Sequence, residues 1–124
     1  MPVPHRNYGA VRVVAPKGRL DHDTCDTFRA GLAPHIDAAA LARQPLVLDF
    51  SGVEYVSSAG LRCLMLAAKE ANVRNGKIMV AAMQPVVAEI FQISRFNLVL
   101  EVFPTLPEAL ASVSPQAVQA YERG

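Results

Sequence analysis

Two adjacent serines, Ser57 and Ser58, are placed where a side chain could carry chemistry. They precede a run with helical periodicity that includes Leu61. Backbone N–H groups at a helix start have no partner within the helix, and the helix dipole is positive there, so a phosphoserine would be stabilised. A serine here is also an ordinary helix cap, worth about 1 kcal/mol. Both interpretations can hold, because one serine can cap the helix while the other stays exposed.

A second polar segment, GRLDHD at residues 18–23, precedes another helical pattern. Asp21 or Asp23 is predicted to cap that helix, and a functional contact is the alternative for either residue. In an α/β sheet, functional groups collect where strands pass into helices, so both segments belong to the candidate site.

The histidines supply no recognisable catalytic set. His5 lies in a proline-containing leader, His22 in an Asp-His-Asp triplet and His35 beside a proline, with no nucleophile and orienting acid around any of them. The VSSAG segment also lacks the first glycine of a nucleophile elbow and the Gly-Lys of a phosphate-binding loop. We therefore expect a protein that is not an enzyme.

The two cysteines, Cys25 and Cys63, are predicted to be buried thiols. They are distant in sequence, and no second ligand stands at metal-binding spacing from either. No metal and no cofactor are expected. An enzyme with Cys63 or Ser58 as its nucleophile is the weak alternative.

Composition and net charge restrict the kinds of partner that this protein is expected to bind. The chain has 124 residues, of which 52% are hydrophobic, and a formal net charge of +1. One domain of this size can bury a core without metals or disulfides, and the charge lacks the basic excess of a nucleic-acid surface. No apolar run approaches the roughly 18 residues of a membrane span, and a signal peptide is not evident. A cytoplasmic protein that does not bind nucleic acid directly or insert into a membrane is expected.

Strand and helix patterns alternate along the chain. Strands are predicted at 8–15, 45–50, 77–83 and 98–103, and helices after residue 20, after residue 60, from Pro85, and over 106–121. Proline should kink or divide the first helix at Pro34 and the last at Pro115. The fold class predicted is α/β: one domain over 1–124, with a mixed, mostly parallel four- to five-stranded sheet and about four helices.

Three motifs in order resemble the STAS family, specifically bacterial anti-sigma factor antagonists, over about residues 8–112. GRLD at 18–21 is similar to the family's GELD, and VLDFSGVEYVSSAGL at 47–61 is similar to VLDLSxVxFxDSSGL. AAMQPVVAEIFQISRF at 81–96 resembles the pattern in which a proline opens a helix that FxxSGL closes.

The resemblance implies a partner-switching protein. Unphosphorylated, such a protein binds an anti-sigma factor that is also a serine kinase of the GHKL type, and thereby releases the sigma factor. Phosphorylation ends the interaction, and a metal-dependent serine phosphatase restores it. Ser58 matches the phosphorylated position; Ser57 replaces the family aspartate beside it and is the second candidate acceptor.

The partner-binding surface implied by the resemblance combines both polar segments. It comprises Asp21, His22, Asp23, Glu54, Ser57, Ser58, Ala59, Gly60, Leu61 and Arg62. The alternative is a STAS accessory subunit of a lipid or anion transporter, or an interaction module independent of phosphorylation, in which the serines only cap a helix.

Overall fold

The structure, a computed structural model, describes residues 5–123. Seven strands and five α-helices follow one another in the order β1 (His5–Tyr8), β2 (Val11–Val14), β3 (Lys17–Leu20), α1 (Cys25–Leu41), β4 (Leu46–Asp49), β5 (Gly52–Val56), α2 (Ser58–Val73), β6 (Ile78–Ala81), α3 (Pro85–Ile93), β7 (Glu101–Phe103), α4 (Leu106–Val113) and α5 (Pro115–Glu122). A 3₁₀ turn at Phe96–Leu98 lies between α3 and β7.

The main sheet has five strands in the order β1-β2-β4-β6-β7. β1 is antiparallel to β2, and every other pair in this sheet is parallel. Right-handed crossover helices are the usual way to connect such neighbours. The predicted mixed, mostly parallel α/β architecture is confirmed, with five α-helices instead of about four.

The strand predicted over 8–15 appears as β2, but it begins only at Val11 and does not extend back to Tyr8. The chain instead forms a hairpin whose two-residue turn follows Tyr8, with Gly9 at a φ of 59°. β1 therefore occupies the segment interpreted as a leader. Its side chains are polar, because an edge strand of this kind does not need to bury them, and no hydrophobic alternation marked it.

β3 and β5 form a separate two-stranded parallel sheet, and neither was predicted as a strand. Both are short and contain a glycine, Gly18 and Gly52, which resembles turn chemistry in the sequence. Their pairing is decided by the tertiary structure, which brings together segments about 35 residues apart in the chain.

The other elements follow the predictions closely. The strands expected at 45–50 and 77–83 appear as β4 and β6, and the break at Pro115 separates α4 from α5. α1, however, continues through Pro34 without division. Leu32 and Ile36 are buried on either side of this proline, so packing of both flanking turns compensates for the missing backbone hydrogen bond.

The predicted strand at 98–103 is shorter than expected. β7 begins only at Glu101, after the 3₁₀ turn, in which Leu98 is exposed. Arg95, which stands where the FxxSGL motif has glycine, takes a left-handed φ of 57° and so makes the turn that ends α3.

The main sheet is covered on both faces. Leu46 and Leu48 of β4 point towards the core shared with α1, α2 and α3, whereas Val47 packs with Leu110 of α4 and Ala117 of α5. Strands buried on both faces explain the continuous apolar runs of β4 and β6. Met79 is fully buried and Met83 half-buried, whereas Met65 is exposed.

Candidate functional site

The two polar segments meet at the carboxyl ends of β3 and β5. In the parallel register of these strands Leu20 lies opposite Val56, so both chains leave the small sheet side by side. The N–H of Ser57 donates to the carbonyl oxygen of Leu20 at 2.9 Å. This pairing places the 21–24 turn beside the start of α2.

Gly60 makes this close approach possible. A Cβ at that position would lie 2.2 Å from the Leu20 carbonyl oxygen, far inside any normal contact. Gly60 is buried, so it supports the surface from within while its neighbours face outward. Gly60 therefore contributes to the predicted partner-binding surface indirectly, by supporting it from within.

The two serines differ in the roles that the sequence left open, capping of the helix and exposure to solvent. Ser57 is the N-cap of α2, and its Oγ accepts a hydrogen bond from the N–H of Gly60 at 3.1 Å. Ser58 is the first helical residue and is exposed. Within residues 5–123 its hydroxyl has no hydrogen-bond partner, so it is available to an external molecule.

The turn before α1 is organised by Asp21. Its Oδ1 accepts hydrogen bonds from the N–H groups of Asp23 at 3.0 Å and Thr24 at 3.2 Å. The N-cap of α1 is Thr24, so the expectation that Asp21 or Asp23 occupies the capping position was wrong. Asp21, three residues before the N-cap Thr24, stabilises the turn through these hydrogen bonds. His22 and Asp23 within the turn are exposed.

Arg19 lies in the 18–23 segment assigned to the candidate site, but no individual role was predicted for it. Its guanidinium lies 4.6 Å from the centre of the Tyr55 ring, and its Nε forms an ion pair with Asp21 at 3.4 Å. Burial alone would raise the pKa of the Asp21 carboxyl, but the hydrogen bonds from Arg19, Thr24 and Asp23 together lower it. The signal that could have revealed Arg19 was the pairing of β3 with β5, since it brings Arg19 opposite Tyr55.

The predicted contact residues thus form a mixed surface of small, apolar and charged groups. The five exposed members are His22, Asp23, Glu54, Ser58 and Arg62, and the four half-buried members are Asp21, Ser57, Ala59 and Leu61. We call these nine residues the docking surface, after the binding role predicted for them. Both charge signs occur on it, which suits a protein partner better than a polyanion.

The prediction of two buried thiols was wrong. Cys25, the first residue of α1, and Cys63 in α2 form a disulfide with a Cα–Cα distance of 6.1 Å. Cys63 is fully buried and Cys25 half-buried. Their 38-residue separation hid the contact, because only the packing of α1 on α2 brings them together.

Of the three histidines, His22 belongs to the docking surface, whereas His5 and His35 lie together elsewhere. His35 is buried and accepts a hydrogen bond at Nδ1 from the Nε of Arg12, while its ring lies 4.7 Å from that of His5. In the described part of the chain, no cluster of three His, Cys, Asp or Glu residues is arranged to hold a metal ion. Residues 5–123 also contain no helix long and apolar enough to cross a membrane.

Comparison with known proteins identifies the family to which this chain is related. The family described as "Mlab, STAS domain" matches residues 6–101, which is most of the chain. The chain belongs to the STAS-domain family. Within that family this STAS domain is 33% identical over 88 residues to BtrV of Bordetella bronchiseptica, named as an anti-sigma factor antagonist, covering 71% of each chain.

Solved structures agree with that placement. An anti-sigma factor antagonist from Mycobacterium paratuberculosis superimposes on this STAS domain with a TM-score of 0.72 at 26% identity, covering 90% of this chain and 92% of the other. The Thermotoga maritima protein TM1081 gives a TM-score of 0.73 at 16% identity over 91% and 89% of the chains, a likeness of fold. The STAS domain is accordingly a member of the anti-sigma factor antagonist group.

Proposed function

We propose that this STAS domain is a non-enzymatic, cytoplasmic anti-sigma factor antagonist that phosphorylation of Ser58 switches off. The unphosphorylated docking surface binds an anti-sigma factor that is also a GHKL-type serine kinase, and a metal-dependent serine phosphatase reverses the modification. The observation that carries the proposal is that the two serines at the start of α2 differ in role: Ser57 caps the helix, and the Ser58 hydroxyl stays exposed.

Electrostatics explain why one phosphate would act as a switch. The start of α2 tolerates the added charge, about −1.5 to −2, because the helix dipole and free N–H groups favour an anion there. A partner covering Ser58 would have to desolvate that charge beside Asp21, Asp23 and Glu54. The complex is weakened while the free domain remains folded.

Phosphate transfer tests the acceptor directly. Purified GHKL-type kinases of the same organism are incubated with the protein and ATP, and the products are analysed by mass spectrometry. We expect Ser58→Ala to abolish incorporation and the matched variant Ser57→Ala to retain it. Equal incorporation in wild type and Ser58→Ala would overturn the site assignment.

Calorimetry with a kinase that phosphorylates the protein tests the charge mechanism. We expect Ser58→Asp to weaken binding at least about tenfold relative to Ser58→Ala, a difference of about 1.4 kcal/mol. Weaker binding by Ser58→Ala than by Ser58→Asp would contradict it. Stable association with a transporter ATPase, and no kinase that binds, would support the accessory-subunit alternative instead.

A further inference from the structure

The disulfide between Cys25 and Cys63 lies at the junction of the two halves of the docking surface. Cys25 immediately follows the turn that presents His22 and Asp23, and Cys63 lies in the same helix as Ser58, five residues further on. The bridge is therefore a covalent link between the segment around Asp21 and the helix that carries the proposed phosphorylation site.

The 21–24 turn has few other links to the rest of the protein. Its hydrogen bonds, as far as the structure describes the chain, stay between residues 19 and 28. The Ser57–Leu20 hydrogen bond and the Gly60 contact hold the end of β3 against α2, but they stop at Leu20. Beyond Leu20, the bridge is the covalent tie between the turn and α2, and the packing of α1, whose Phe28 lies in the core shared with α2, is the non-covalent one.

Reduction would loosen the turn, because it removes the covalent link between the turn and α2. Cys63 is fully buried among core side chains, whereas Cys25 is half-buried at the start of α1. The freedom gained on reduction is therefore larger at Cys25 and in the turn that precedes it than at Cys63.

We propose that Cys25 and Cys63 form a thiol–disulfide switch in which the oxidised protein presents the ordered docking surface and the reduced protein binds its anti-sigma partner more weakly. The inference rests on the proposed function for its partner and for its compartment. Where ATP-dependent kinases act, thiols are kept reduced by default, so a disulfide there is regulatory more often than structural.

The chemistry requires a dithiol reductant, of the thioredoxin type or a small molecule. Its thiolate attacks the accessible Sγ of Cys25, the Sγ–Sγ bond breaks, and Cys63 leaves and takes up a proton. The second thiolate of the reductant then attacks the mixed disulfide and releases Cys25, which is protonated in turn. Two electrons pass to the protein, and the reductant becomes a disulfide; a disulfide oxidant reverses the sequence.

Hydrogen exchange tests the switch without any partner. The protein is oxidised with glutathione disulfide or reduced with dithiothreitol, and deuterium uptake is followed by mass spectrometry. We expect the backbone amides of residues 23–25 to exchange at least about tenfold faster after reduction through local opening, whereas the buried β4 amides exchange through global unfolding and report the overall loss of stability. Cys25→Ala and Cys25→Ser should resemble the reduced protein under both conditions.

Two results would overturn the switch itself: equal exchange of residues 23–25 in the two states, or free thiols that persist after treatment with glutathione disulfide.

A binding measurement then tests the link between the switch and the proposed function. With a kinase that binds the oxidised protein, we expect dithiothreitol to raise Kd at least about threefold for wild type and to leave Cys25→Ala unchanged. An unchanged wild-type Kd would overturn that link, whereas a protein that binds no kinase in either state but still shows the exchange difference would refute the proposed function alone.

Discussion

The adjacent serines at the start of α2 illustrate how neighbouring residues of one type acquire different roles. The Oγ of Ser57 is engaged with the N–H of Gly60, whereas Ser58 faces solvent. A capping hydroxyl satisfies a backbone donor that would otherwise be unpaired, and a solvated one contributes little to folding. The structural role and the proposed regulatory role can therefore be separated by substitution.

The first prediction concerns the stability of these two serine variants. We expect Ser57→Ala to lower the free energy of unfolding by about 1 kcal/mol, because the Gly60 N–H loses its acceptor. Ser58→Ala should change it by less than about 0.5 kcal/mol. Urea denaturation at neutral pH measures both. A larger loss for Ser58→Ala than for Ser57→Ala would show that the capping assignment is reversed.

Asp21 gives the second prediction, on pH. Its carboxylate accepts hydrogen bonds from Arg19, Asp23 and Thr24, and its pKa in the folded protein is lowered. A carboxyl with a depressed folded-state pKa stabilises the protein above its unfolded pKa, and this contribution is lost as the pH falls through the folded value. Wild type should thus lose stability below about pH 4 more steeply than Asp21→Asn does.

Denaturant unfolding at a series of pH values from about 5 to 2.5 measures this difference. Asp23→Asn is the matched control, because the Asp23 side chain accepts none of the hydrogen bonds that organise the turn. Parallel pH profiles for wild type and Asp21→Asn would mean that the carboxylate does not stabilise the turn.

At the scale of elements, the small β3–β5 sheet positions the candidate site. Neither strand contributes to the main sheet, yet their carboxyl ends determine where the 21–24 turn and α2 begin. The close contact between Gly60 and the Leu20 carbonyl transmits that register to the helix. A side chain at Gly60 would therefore separate the two halves of the docking surface.

The third prediction tests this contact. A helical glycine usually gains stability when it is replaced by alanine, but at Gly60 the new Cβ would overlap the Leu20 carbonyl. We expect Gly60→Ala to destabilise the protein by about 2 kcal/mol or more. Gly18→Ala is the control, since nothing lies within 4 Å of its Cβ position and only its left-handed φ of 87° is unfavourable.

The Gly18→Ala variant should lose about 1 kcal/mol. Thermal and urea unfolding of both variants supply the comparison. If Gly60→Ala were as stable as wild type, α2 would not be seated on β3 as described.

For the whole molecule, the disulfide closes a long loop that contains α1, β4 and β5. The fourth prediction is that reduction lowers the free energy of unfolding by about 4 kcal/mol, from the chain entropy restored to the unfolded state at a separation of 38 residues. Guanidinium unfolding with and without dithiothreitol measures the difference. Cys25→Ala should give the same value in both, and an equal value for wild type would contradict the bridge.

An element could be predicted from the sequence when interactions between neighbouring residues determine it. β4, β6 and α2 could be predicted because each carries its own signal: a continuous apolar run in the two strands, and helical periodicity ended by Asn75-Gly76 in the helix. β1, β3 and β5 could not, because they are short, polar or glycine-containing and become strands only when a partner strand satisfies their backbone groups.

The sequence by itself determined the alternating α/β order, the STAS motifs and the Ser-Ser pair at a helix start, because these depend on patterns within a few neighbouring residues. The tertiary structure decided which serine caps, that Arg19 reaches Tyr55 and that Cys25 bonds to Cys63. Each of these depends on how β3, β5, α1 and α2 come together across a long stretch of chain. Such contacts arise from packing of the whole domain, which no local pattern encodes.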